Sequence, residues 1–312
     1  MPGIPEKFIE SGKKCGYDSI LFKMSKTPHL FVESDKILSL KGVPGVEIET
    51  ETEKDTIKIK MRIKEKIKQP IFLCFGILKE QGKQLILPEI TLEKDSEATV
   101  FAHCTFPEAK DILHQMEMKI KLGENARFIY EERHYHGEFY GSHVFPIFKA
   151  ELGRNSYLKT DFILNQGTVG KLEIDFLAEL KEKAVCEVTS KVIGQGKEDD
   201  FKVKDKVILI GEGARSLIKI RAAAVNGGKV FGQGETIALA KDSRGHVDCQ
   251  EIVVGENSIA QAVPIVDVRH PEARVTHEAS VGKINQKELE TLLTRGLSEK
   301  QATDFIIRGK IK

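Results

Sequence analysis

Leu92-Glu93-Lys94-Asp95-Ser96 returns 30 residues later as Leu122-Gly123-Glu124-Asn125-Ala126, and after 30 more as Leu152-Gly153-Arg154-Asn155-Ser156. Each copy is an aliphatic residue, a short polar turn and a small residue. A degenerate copy, Leu180-Lys181-Glu182-Lys183-Ala184, follows after 28 residues, and Ile210-Gly211-Glu212-Gly213-Ala214 after another 30. Val254-Gly255-Glu256-Asn257-Ser258 comes 44 residues further on, which predicts an insertion in that repeat. Gly and Asn tolerate the positive φ that a tight corner between strands requires.

A fixed period of this size means stacked supersecondary units. The segments between the turns have strand patterns. Pro70 to Leu78 is a buried-strand candidate, and Phe201 to Ile210 alternates before becoming apolar. Amphipathic helices are not evident from about residue 70 to 275. A propeller blade usually needs about 40 residues and four strands, so a spacing near 30 fits one coil of a β-helix better. A β-sandwich with coincidental turns is the alternative. The expected layout is a mixed N-terminal region at 1–65, an all-β core built as a β-helix at 66–275 and a helical region at 276–312.

In the first region Glu6 to Glu10 can begin a short helix, while Val46–Glu49 and Thr56–Ile63 alternate with period two, as strands with one wet face do. At the other end, Asn285 with Glu288 and Ser298 with Gln301 have the spacing of helix N-caps. Leu289, Leu292 and Leu293 then make one apolar stripe, and Ala302, Phe305 and Ile306 another. Gly296 and Gly309 are placed to end the two helices. Both stripes can pack on the body; docking a partner is the functional alternative.

Composition excludes several classes. The 312 residues carry a formal net charge of +1, so no nucleic-acid surface is expected. No apolar run approaches the roughly 20 residues of a membrane span, and the N-terminus lacks a signal-peptide pattern. The five cysteines are odd in number, widely spread and without C-x-x-C, which points to free thiols in a reducing cytoplasm. No P-loop, dinucleotide-binding glycine motif or H-E-x-x-H occurs. His134 and His136 face one side of a strand and, with His143 nearby, could share a metal; surface polarity is the other reading of that pair.

Two segments carry candidate chemistry. Gly245-His246-Val247-Asp248-Cys249-Gln250-Glu251-Ile252-Val253-Val254-Gly255 is a strand with a central cysteine, and Arg274-Val275-Thr276-His277-Glu278-Ala279-Ser280 follows some 20 residues later. Cys249 alone can be a small core residue, and His277 a structural histidine. Together, a thiolate, an imidazole and a carboxylate on stacked coils would make a mixed-ligand site for iron.

The run Val275 to Ile284, followed by Arg295-Gly296-Leu297-Ser298-Glu299-Lys300-Gln301-Ala302, resembles the signature of the SufB and SufD proteins, scaffolds on which iron–sulphur clusters are assembled. The close match covers about 65 residues, from about Gly245 to Gly309. The resemblance implies a right-handed parallel β-helix with terminal helices and a complex with a SufC-type ABC ATPase docked on those helices. It implies that Cys249 is the sulphur acceptor and a cluster ligand, with His277 and Glu278 as further ligands of a transient cluster. The SufD kind typically lacks that Cys and Glu, so the chain is similar to SufB. Cys186 has no context matching the cysteine that receives sulphur in longer SufB proteins. The shortened form resembles the minimal single-scaffold system, a homodimer paired with two ATPase subunits.

These features imply a cytoplasmic scaffold, not an enzyme, that uses ATP only through its partner and passes clusters to apo iron–sulphur proteins. A purely structural SufD-like subunit is the alternative. A carbohydrate-active β-helix would need clustered acids on one coil face and usually a secretion signal; neither is evident.

Overall fold

The computed structural model describes residues 4–17 and 27–311; residues 1–3, 18–26 and 312 lie outside it. The chain opens with helix α1 (Glu6–Lys14), then strands β1 (His29–Glu33), β2 (Lys36–Lys41) and β3 (Val46–Glu53). Sixteen more strands follow: β4 (Thr56–Ile63), β5 (Ile71–Gly76), β6 (Gln81–Leu92), β7 (Glu97–Phe106), β8 (Asp111–Leu122), β9 (Arg127–His136), β10 (Ser142–Leu152), β11 (Tyr157–Leu164), β12 (Gly170–Leu180), β13 (Val185–Gly194), β14 (Asp200–Leu209), β15 (Arg215–Val225), β16 (Lys229–Ala238), β17 (Arg244–Val254), β18 (Ile259–Val268) and β19 (Arg274–Lys283). Helices α2 (Gln286–Thr294) and α3 (Glu299–Lys310) close the described chain.

From β4 onward the strands alternate between two facing sheets. One has the order β2-β1-β5-β7-β9-β11-β13-β15-β17-β19, the other β3-β4-β6-β8-β10-β12-β14-β16-β18. Strands stacked along the solenoid pair in parallel; only the first hairpins, β1–β2 and β3–β4, are antiparallel. This is the expected parallel β-solenoid, of about eight turns. Its regularly alternating strands run from Thr56 to Lys283, and β1 already pairs in parallel with β5.

The repeating pentapeptides form one corner of every coil. Their penultimate residues, Asp95, Asn125, Asn155, Lys183 and Gly213, have φ between 55° and 68°. The N–H of Asp95, Asn125 and Asn155 each donates to a carbonyl of the next turn, at 2.8–3.0 Å. Side chains stack as well: Asn155 Nδ2 donates to Asn125 Oδ1 at 2.8 Å, and Asn125 Nδ2 to Asp95 Oδ1 at 2.7 Å. The expected insertion before Val254 does not exist. The next copy is Leu239-Ala240-Lys241-Asp242-Ser243, with Asp242 at φ 56°. Val254–Ser258 joins β17 to β18 and belongs to the opposite corner, which explains the odd spacing.

Along each strand alternate residues point inward. They merge into one apolar column from Leu30 to Cys249. A fully buried Leu, Ile or Phe contributes about 1.5–3 kcal/mol, so the column dominates stability. Helix α1 covers the outer face of the ten-stranded sheet at its start, where Phe8 packs with Phe31 and Phe72. Helix α3 covers the same face near its end, where Ile307 and Ile311 meet Ile193, Ala223 and Ile252. All five cysteines are free and buried. Among the described residues no helix is long and apolar enough to cross a membrane.

Candidate functional site

Cys249 sits at the centre of β17, one coil short of the end, with its side chain inward and no exposed surface. The facing strand makes room for it. A Cβ on Gly234 would lie 3.5 Å from Cys249 Sγ and 2.6 Å from Val247 Cγ1, and one on Gly232 only 2.7 Å from Glu251 Oε1. Burial pushes the Cys249 thiol up to about 12; the carboxylates of Glu251, Asp205 and Asp248 add to this, and the Gly234 N–H opposes it. At neutral pH it is a protonated thiol, and a metal would be needed to make it a thiolate.

Glu251, not among the candidate ligands above, lies buried next to Cys249. Two residues from Cys249, it shares the inward face. Neither of its carboxylate oxygens has a hydrogen-bond partner among the described residues. Burial raises its pKa to about 7, against the pull of Arg221. The signal was available in the alternation Cys249-Gln250-Glu251.

The last coil carries the other predicted residues. Strand β19 pairs with β17 so that His277 lies beside Val247, Glu278 beside Asp248 and Ala279 beside Cys249. Val247 faces the core, so His277 joins the inward row, one strand spacing beyond Cys249 and two residues along. Glu278 does not join it. Adjacent residues of a strand point to opposite faces, and Glu278 projects outward beside Asp248, whose carboxylate pairs with Arg221. Within one chain the register groups Cys249 with Glu251 and the His277 row and sets Glu278, the third expected ligand, on the other face.

His277 and Glu278 are both exposed, because among the described residues no coil stacks beyond β19. Val268 and Val281 on the same coil are also open, at 46% and 48% exposure. A cleft of about 170 Å³ runs from Glu251 past Ser280 and Val281 to Lys283 and Lys310.

The helical region divides in two. Asn285 accepts hydrogen bonds from the N–H groups of Lys287 and Glu288, and Ser298 with Gln301 forms a complete capping box. Helix α3 packs on the body through Ile307 and, just past its end, Ile311, with Ala302 and Ile306 also buried; α2 buries no residue. Phe305, expected in the packed stripe, is 65% exposed. With Leu292, Thr291 and Asn285 it lines a groove of about 540 Å³ between the helices. Gly296 ends α2 at φ 91°, whereas α3 continues through Gly309 to Lys310.

The histidine pair does not lie on the surface. His134 and His136 are buried on the inward face, and His143 points away into solvent. Cys186 is fully buried in β13.

The family model described as SUF system FeS cluster assembly, SufBD core domain, matches residues 82–310. An iron–sulphur cluster assembly SufBD family protein of Methanocaldococcus jannaschii is 40% identical over 288 residues, covering 92% of this chain and 90% of that one. A SufBD family protein of Pyrococcus horikoshii is 35% identical over 306 residues, covering 97% and 92%. A second protein of that family from the same organism is 28% identical over 252 residues, 80% of this chain and 55% of its own length. The parallel solenoid, the terminal helices and these matches agree, and the chain belongs to the SufBD family of iron–sulphur cluster assembly proteins.

Proposed function

We propose that the chain is a scaffold that holds a nascent iron–sulphur cluster at the open end of its solenoid. The observation that carries this reading is the shared inward row of Cys249 and His277, on the last two coils of a column that no described residue caps with a further coil. Iron binding would displace the thiol proton of Cys249 and supply the charge that Glu251 lacks. Cys249 is the sulphur acceptor and thiolate ligand, His277 the imidazole ligand and Glu251 the oxygen donor. Glu278 reaches a cluster only from the outer face of the sheet edge.

Partners follow from the two open surfaces. β18 and β19 are unpaired edges, and an edge strand is a template for another chain; a second copy there gives the homodimer. The groove at Phe305 suits a SufC-type ABC ATPase, whose ATP-driven movement would act through α2 and α3. The scaffold works in the cytoplasm, catalyses no reaction itself and delivers to apo iron–sulphur proteins.

Anaerobic reconstitution with ferrous iron and sulphide tests the site by the absorbance of the bound cluster. Cys249→Ser and His277→Ala should each lose most of it, Glu251→Gln should hold less than wild type, and Glu278→Ala should hold a near-normal amount. A Cys249→Ser protein with full occupancy would refute the assignment. The complete burial of Cys249 favours a second reading, a structural SufD-like subunit holding no cluster, and the same measurement decides between them.

A further inference from the structure

A second group of metal-ligating side chains lies inside the solenoid, several coils from the open end. Cys104 on β7 and Glu132, His134 and His136 on β9 come from one sheet, and His114 on β8 comes from the other. All five are buried, none more than 2% exposed. Among the described residues, Cys104, His114 and His134 are the one set of three whose ligand atoms all lie within 4.8 Å of one another.

The hydrogen bonds leave these atoms ready for a metal. His114 Nδ1 lies 3.0 Å from Gln84 Oε1, and the Gln84 amide is oriented by its Nε2, which donates to Ser34 O at 2.6 Å. The carboxamide oxygen can only accept, so Nδ1 carries the proton and Nε2 keeps a lone pair. His134 Nε2 lies 2.6 Å from Glu132 Oε1, and its Nδ1 has no partner. His114 Nε2 and both ring nitrogens of His136 are likewise buried and unpartnered. Native interiors rarely leave such nitrogens empty, and an ion or water is the usual explanation. A metal-bound histidine characteristically donates its second ring N–H to a carboxylate or carbonyl, as both His114 and His134 do here.

Charge favours the ion over water. Glu132 places a carboxylate in this interior, hydrogen-bonded to Tyr130 Oη at 2.7 Å and Cys104 Sγ at 3.7 Å. A divalent cation would be neutralised by the Cys104 thiolate and the Glu132 carboxylate together, once the thiol proton has left to solvent as the coils close.

We propose that Cys104, His114 and His134, with Glu132 beside them, hold a resident divalent transition metal, Fe²⁺ or Zn²⁺, separate from the cluster at the open end. A sulphur, two nitrogens and a carboxylate are the donors these borderline ions take. The ion ties β7 and β9 of one sheet to β8 of the other through the middle of the column.

The full chain, expressed in minimal medium supplemented with cobalt, provides the test. We expect one cobalt per chain by mass spectrometry, with the visible bands of a tetrahedral ion and a thiolate-to-cobalt charge-transfer band. Cys104→Ser, nearly isosteric, should lose the charge-transfer band, and His114→Gln should lose stoichiometric metal; circular dichroism verifies that both fold. Gln84→Ala, which frees His114, should weaken retention about tenfold against a chelator. Cys249→Ser should keep both metal and band, so failure of the open-end site and failure of this one are told apart. Protein from unsupplemented cells would contain iron or zinc at one per chain, identifying the native ion. A wild type without stoichiometric metal, or a charge-transfer band that survives Cys104→Ser, would overturn the proposal.

Discussion

Asp205 is an aspartate in an aliphatic row, inward on β14 between Val203 and Val207. Burial raises its pKa to about 7, with Asp175 adding to the shift, although Ser190 Oγ donates to its Oδ2 at 2.9 Å. The native state therefore binds a proton that the unfolded chain releases near pH 4. Its stabilisation is present at low pH and is lost as pH rises through about 7. A shift from 3.8 to about 7 corresponds to on the order of 4 kcal/mol. Asp205→Asn should thus gain stability relative to wild type as pH rises from 4 to 8, read by urea unfolding at each pH. At the same scale, His277 and Glu278 show what residue identity cannot settle. Both have the right chemistry, but strand alternation sends them to opposite faces, and the pairing with β17 decides which one joins Cys249.

The corner is the element that sets the coil. Its left-handed residue costs roughly 1–2 kcal/mol unless Gly, Asn or Asp occupies it. Asn125 also donates to Asp95 and accepts from Asn155. Asn125→Ala should destabilise by about 2 kcal/mol through the strained φ and the broken ladder. Lys183 holds the same conformation at φ 55° without that chemistry, so Lys183→Gly should stabilise by about 1 kcal/mol. Denaturant midpoints of the two variants check both signs. The mixed Lys and Glu of the sequence turn out to bridge successive coils, as in Lys119–Glu89, Lys110–Glu80 and Lys94–Glu124, each 30 residues apart. These pairs are largely exposed, so each is worth about 0–1 kcal/mol and is screened by salt.

At the scale of the whole molecule the two ends of the solenoid differ. The N-terminal end finishes in antiparallel hairpins, with α1 on the outer face of the ten-stranded sheet, whereas at the other end β18 and β19 are parallel edge strands and the last coil's Val268 and Val281 are exposed, among the described residues. Helix α3 is anchored beside that end while α2 buries no residue, so a partner docked at Phe305 as proposed would be coupled to the last coils. Phe305→Asp should abolish co-purification of an ABC ATPase from native extract. Because Phe305 is mostly exposed, its melting temperature should stay near that of wild type.

The sequence by itself determined the coil. The 30-residue period, the positive-φ turn residues and the strand alternation are local properties, and they predict a stacked β architecture without knowledge of any contact. The helix caps at Asn285 and Ser298 were legible for the same reason, because a cap is a bond within four residues. What required the tertiary structure was whatever depends on register between strands far apart in the chain. Register placed Glu278 on the outside and turned the His134–His136 pair inward to meet Cys104 and His114 from neighbouring strands. Residues 104, 114 and 134 share no short motif; they meet because the coils stack at 30-residue intervals and the two sheets face each other across one interior.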